Sequence, residues 1–62
     1  MRHRRSPERC PRGWGRYTVR PGDTMFLIAR RFRVSLDRLI RANPHIQDPD
    51  VISPGDVLCV PH

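Results

Sequence analysis

Apolar residues along this chain fall into four short patterned stretches, and their period changes from one to the next. In Tyr17-Thr18-Val19-Arg20 it is two, with Tyr17 and Val19 inward and Thr18 and Arg20 outward, as in a half-buried strand. From Met25 it lengthens. Met25, Ile28, Ala29 and Phe32 stand at i, i+3, i+4 and i+7, one stripe of an amphipathic helix, with Arg30, Arg31 and Arg33 away from it. Leu36, Leu39 and Ile40 make the buried face of a second helix whose Arg38 and Arg41 stay in water. Val57 to Val60 reads as a second strand, with Leu58 and Val60 inward and Val57 and Cys59 on the outer face. Helices of about two turns are not stable alone, so both must be held by packing on the strands.

The residues between these stretches are turn and cap chemistry. Pro21 presets the first corner of a type II turn and Gly22 tolerates the positive φ of the second. Asp23 or Thr24 then caps the first helix, and Ser35 caps the second with Asp37 in its first turn, where a negative charge suits the helix dipole. Asn43 precedes Pro44 and so leaves the α region, ending the second helix. Three prolines, two aspartates and a serine make 44–54 a loop. Val19-Arg-Pro-Gly-Asp23 returns as Ile52-Ser-Pro-Gly-Asp56, the same turn chemistry used twice rather than a repeat architecture.

With 62 residues there is one domain at most, and a chain this short leaves no room for a large buried active site. The formal charge of +6 lies mainly in the leading segment: residues 1–16 hold six Arg against Glu8, whereas 17–62 hold six Arg against five Asp, leaving +1. All twelve cations are Arg, which suits bidentate contacts to phosphate or carboxylate and equally follows from base composition. Residues 1–16 lack apolar periodicity and are expected to form a mostly disordered tail ahead of a domain spanning 17–62. Trp14, between two glycines, is expected to pack on the domain edge, with stacking on a sugar ring as the sharper alternative. No window has the roughly 18 consecutive apolar residues of a membrane helix, and the Arg-rich start has no apolar run behind it to make a signal peptide.

The strand, Pro-Gly turn and capped helix of Tyr17 to Ile28, the Asn43-Pro44 pair, and the closing Ile52-Ser-Pro-Gly-Asp-Val-Leu-Cys-Val-Pro61 together resemble a LysM domain over residues 17–61. The resemblance implies an α+β fold of βααβ order, a two-stranded antiparallel sheet packed against two short helices. It implies a non-catalytic module, without cofactor and monomeric in isolation, that binds N-acetylglucosamine-containing glycans, peptidoglycan or chitin. On the matching positions, Gly22, Asp23, Thr24, Met25 and Phe26 fall on the family's first binding loop, and Asn43, Pro44, His45 and Ile46 on its second. A neutral sugar needs backbone donors and acceptors at loop edges plus apolar side chains against its ring and acetyl methyl, and Met25, Phe26 and Ile46 are of that type. The plainer readings stand beside this: Asp23 and Thr24 as caps, Pro44 as a helix stop, Met25 as core. Three positions depart from the family pattern. Arg33 stands where Gly is common, Leu27 where a small or polar residue is, and Cys59 where a polar strand residue is.

Other chemistries fit less well. Glu8, Asp23, Asp37, Asp48, Asp50 and Asp56 include no pair placed by rigid elements across a cleft, as a glycosidase requires. Cys59 with His62, or His45 with Asp48 and Asp50, falls short of a four-ligand metal set, and His3 and His62 lie in the ends of the chain, without a position from which to activate a cysteine. The competing function is nucleic-acid or polyanion binding by the Arg tail. A mixed case has the tail adhering to anionic wall polymers while the loops read sugar. A cell envelope, extracellular matrix or spore surface is the expected location. Cys10 has the reach to cross the outer face that carries Cys59, which points to a disulfide between them, with two free thiols in a reducing cytosol as the alternative.

Overall fold

The computed structural model describes residues 5–61. Two strands, β1 (Trp14–Thr18) and β2 (Val57–Pro61), enclose in sequence two helices, α1 (Met25–Arg31) and α2 (Leu36–Arg41). The strands pair antiparallel, from Trp14 opposite Pro61 to Thr18 opposite Val57. This is the α+β arrangement expected. β1, however, begins at Trp14 rather than Tyr17 and stops before Val19. Its early start follows from β2, whose last residues Val60 and Pro61 lie opposite Gly15 and Trp14 whatever the weak strand propensity of that glycine. A boundary between tail and domain at residue 16 therefore falls inside a strand.

Both Pro-Gly turns form as their sequences dictate. Gly22 and Gly55 sit at φ 88° and 96°, where a side chain would be strained. In each turn the aspartate that comes next folds back: Asp23 Oδ2 accepts from Arg20 N at 2.8 Å and Asp56 Oδ2 from Ser53 N at 2.9 Å. Val19 ties the two turns together, donating its N–H to Asp56 O at 2.8 Å and accepting from Gly55 N at 2.9 Å. Thr24, not Asp23, caps α1 by accepting from Leu27 N, and Ser35 caps α2 by accepting from Arg38 N, both at 3.1 Å. α1 ends with Arg33 at φ 56°, the left-handed conformation expected where the family carries glycine.

Val19, Met25, Ile28, Ala29, Leu39, Ile46, Leu58 and Val60 form the core, with Trp14, Tyr17 and Phe32 packed against its edge. Leu36 departs from the expected buried face and is 38% exposed. As the first residue of α2 it lies at the end of the core stripe. Asn43 is fully buried, and its side chain acts as a one-residue third strand along β2: Oδ1 accepts from Cys59 N at 2.6 Å while Nδ2 donates to Cys59 O at 3.1 Å and to Leu39 O at 2.7 Å. It thereby satisfies backbone groups that an edge strand would leave unpaired in the interior.

Cys59 overturns one expectation. It points away from the core as the alternation requires, yet it is fully buried, because the segment before β1 covers it. Cys10 and Cys59 are joined by a disulfide, and residues 5–13 form an arm laid over that face of the sheet. The arm has partners of its own: Arg16 donates to Pro7 O at 3.0 Å, and Val57 N donates to Arg5 O at 2.7 Å. The expected disordered tail thus has fixed contacts from Arg5 onward.

Two stability measurements test this arrangement. The disulfide spans a sequence separation of 49, for which chain entropy predicts roughly 4 kcal/mol. In so small a domain, reduction should lower the melting temperature by on the order of 15–30 °C, and a thermal melt that ignores reductant would contradict the clip. Arg33→Gly relieves left-handed strain of about 1–2 kcal/mol, offset in part by the entropy of glycine, so it should stabilise by roughly 0.5–1 kcal/mol in a denaturant titration.

Candidate functional site

A groove of about 190 Å³ opens beside the N-terminus of α1. One wall is Asp23, Thr24, Met25 and Phe26; the floor is Leu36 and Ile40 of α2; the other wall is Pro49, Asp50 and Ile52 of the loop before β2. Phe26 is 55% exposed, whereas Met25 is buried and contributes only an edge of the core. The Arg30 guanidinium lies 6.0 Å from the Phe26 ring centre. The lining is therefore apolar with two carboxylates at its rims, a combination suited to a sugar ring with hydroxyl and amide groups along its edge.

The first wall is held by Asp23. The Tyr17 hydroxyl donates to its Oδ2 at 2.5 Å, as does Arg20 N at 2.8 Å, and these two donors, the hydroxyl first, hold the carboxyl below its usual range. The same contact with Asp23, helped by burial, raises the Tyr17 phenol above its ordinary value. The second wall leans on the other turn. Burial pushes the Asp56 carboxyl up, but hydrogen bonds from Ser53 N and from Arg5 outweigh it and the group stays below the ordinary carboxylate range. Within the wall itself, Val51 N donates to Asp48 O at 2.9 Å and Asp50 N to Asp48 Oδ1 at 3.0 Å.

Of the first loop expected from the sequence, Asp23 to Phe26 line the groove, and Gly22 supplies the turn that aims them. The second loop is placed differently. Asn43 and Ile46 are buried, the one bonded to Cys59 and the other in the core, so neither presents a side chain to a ligand. Pro44 and His45 face a separate cavity of about 360 Å³ against Ser6 to Arg9 of the arm, and His45 Nε2 lies 2.8 Å from Val57 O. The residues facing the first loop are 49–52, and the twin Pro-Gly-Asp turns were their signal: because Val19 pairs the turns, the residues ahead of the second turn come to lie beside those after the first. Trp14 packs on the core edge as expected, beneath the Arg38 guanidinium at 5.7 Å, and outside the groove lining. Among the described residues no three His, Cys, Asp or Glu gather as a metal would need. His3 and His62 lie outside the described residues.

The LysM domain family model matches residues 17–61. The chain is 45% identical over 47 residues to the secreted LysM effector ECP6 of Passalora fulva, covering 76% of this chain and 21% of that protein. It is 38% identical to the spore coat assembly protein ExsA of Bacillus cereus, covering 73% of this chain and 7% of that one. With the secreted LysM effector Blys4 of Beauveria bassiana it shares 36% over 89% of this chain and 32% of the relative. The chain thus spans a third or less of each of these relatives. Among solved structures, a MoCVNH3 variant crystallised in complex with (N-GlcNAc)4 superposes with a TM-score of 0.69 at 42% identity, over 77% of this chain and 31% of that one.

The Tyr17–Asp23 contact gives a pH signature. Asp23 has a folded pKa below its unfolded value, so its contribution to stability is complete above the ordinary carboxyl range near pH 4 and is lost as pH falls through the folded value. Tyr17→Phe removes the largest cause of the shift, and a carbon-detected carboxyl titration should then place Asp23 higher, toward an ordinary aspartate. An unmoved Asp23 titration in that variant would contradict the assignment.

Proposed function

The chain belongs to the LysM family, and from that premise we propose that it is a non-catalytic module that binds N-acetylglucosamine oligosaccharides in the groove between residues 23–26 and 49–52. The observation that carries this reading is the pairing of an exposed aromatic and an apolar floor with two carboxylate rims in an open groove, in a chain 42% identical to a protein crystallised with (N-GlcNAc)4. The Phe26 ring and Leu36 suit the apolar face of the sugar and its acetyl methyl. Asp23, with Oδ2 already accepting two hydrogen bonds, keeps Oδ1 for a sugar hydroxyl or acetamide N–H. Glycosidic chemistry would need one carboxyl kept protonated as a general acid, and Asp23 is held the opposite way.

Oligomers of N-acetylglucosamine are the ligand class best supported, since the solved neighbour was crystallised with (N-GlcNAc)4. The relatives include secreted effectors and a spore coat assembly protein, which supports a place outside the cell or on a spore surface. The Arg-driven polyanion reading loses several of its cations to internal partners. Arg5 is paired with Asp56, Arg41 with Asp37, and Arg16 is bonded to the arm. Among the described residues, adhesion to anionic wall polymers would fall to Arg9, Arg12 and the arginines outside these pairs, and would weaken steeply with salt where neutral-sugar binding would not.

Titration of the N-acetylglucosamine tetramer against the labelled chain should shift the amides of 23–26 and 50–52, with a weak affinity expected of so small a groove. Phe26→Ala should weaken binding by roughly fivefold or more, the loss of one aromatic contact of about 1 kcal/mol. Absence of any shift in both walls at millimolar tetramer would refute the reading.

A further inference from the structure

The groove's second wall is tied to the core through Ile52, and its shortest hydrogen bond comes from the far end of the chain. Arg5 donates from its terminal guanidinium nitrogen to Val51 O at 2.7 Å, between Asp50 and Ile52, two of the three residues of the wall that line the groove. The same guanidinium is forked onto Asp56 Oδ2, at 2.6 Å from the terminal nitrogen and 3.1 Å from Nε. Asp56 in turn is fixed by the Pro-Gly turn through Ser53 N and is only 6% exposed. The Arg5 backbone closes the arrangement: its N–H donates to Asp56 Oδ1 at 3.3 Å and its carbonyl accepts from Val57 N at 2.7 Å. Arg5 is thus held by β2 and, from that fixed position, holds the loop.

The arm that carries Arg5 is itself anchored twice further on. Cys10 is bonded to Cys59 in the middle of β2, and the Arg16 guanidinium on β1 donates to Pro7 O at 3.0 Å. Between these anchors and Asp56 the arm is short, so the disulfide keeps Arg5 at high effective concentration beside its acceptors. A neutral aliphatic or a lone ammonium at this position would not serve alike. The guanidinium is planar and presents several donors in a fixed fork, which lets one side chain bridge a carboxylate and a carbonyl.

Resting on the groove reading above, we infer that Arg5 is a positioning residue for glycan binding, and that the Cys10–Cys59 disulfide makes affinity depend on the oxidation state of the chain. A dithiol reductant delivers two electrons to the Cys10–Cys59 bond. The sulfur–sulfur bond breaks, two protons complete two thiols, and the reductant closes to its own disulfide. The arm then loses its covalent anchor, Arg5 leaves Val51 more often, and the wall of 49–52 is no longer pre-set for the ligand. Ordering it again on binding weakens affinity by the corresponding fraction of time spent in place.

The test uses the full chain, the N-acetylglucosamine tetramer as probe, and a temperature at which melts show each form to be folded. Arg5→Ala should move the free-protein amides of 50–52 while leaving those of 23–26, and should weaken the tetramer about tenfold, the scale of one lost charge-assisted hydrogen bond. Arg5→Lys keeps a charge beside Asp56 without the fork, so it should recover melting temperature more fully than affinity, a split that a purely structural role would not give. Reduction of the wild-type chain should shift the same amides in the same direction, and it replaces the variant should Arg5→Ala fail to fold. Unchanged amides of 50–52 and unchanged affinity in the folded variant or the reduced chain would overturn the inference. A wild-type chain that binds no tetramer would instead refute the groove reading, and the brace is then judged by the free-protein amide shifts alone.

Discussion

Most of this small structure converges on one residue of β2. The main chain of Cys59 is clamped by the amide of buried Asn43, and its side chain is bonded to Cys10, so α2, the sheet and the arm meet within a few ångströms. A two-stranded sheet cannot pair both edges of both strands, and the described residues supply no third strand. The side-chain amide of Asn43 fills that need with a donor and an acceptor in the geometry of a peptide. With β2 fixed on one edge by Asn43 and on its outer face by the disulfide, the loop between them begins and ends on rigid ground.

The second organising device is the Pro-Gly-Asp turn, used once before α1 and once before β2. In both, the aspartate accepts from the turn's first N–H, and each then has one further partner: the Tyr17 hydroxyl for Asp23, Arg5 for Asp56. Those outside partners differ in kind. Tyr17 belongs to the sheet, so the first groove wall is held by the fold itself. Arg5 belongs to the arm, so the second wall depends on a segment that is anchored by a covalent bond. The asymmetry explains why one wall is rigid by local chemistry and the other is set by a contact of long sequence separation.

Arginine is used here less as surface charge than as a planar connector. Arg5 forks between carboxylate and carbonyl, Arg16 reaches two arm carbonyls, and Arg31 and Arg38 lie over Tyr17 and Trp14. Each of these contacts uses the flat, multiply donating head group, which lysine lacks. The pattern also covers the aromatic edge of a core too small to enclose Trp14 and Tyr17 completely.

Local rules in the sequence determined every element whose cause lies within a few residues. Helical spacing from Met25 and Leu36, the two caps and the positive φ of Gly22 and Gly55 all come from neighbours, because turn and helix energetics are short-ranged, whereas the left-handed end of α1 at Arg33 was expected only from the family's glycine there. The disulfide was also within reach, since strand alternation alone put Cys59 on the face that Cys10 crosses. The tertiary structure decided what depends on contacts distant in sequence. Asn43 reads as a helix stop until β2 arrives to bond it; Ile46 reads as a loop residue until the core closes over it; Leu36 reads as buried, yet it stands at the edge of the core and stays partly exposed. The second wall of the groove belongs to this class as well. Residues 49–52 have no helical or strand period, and their position comes from Val19, Asp56 and Arg5, partners that only folding brings beside them.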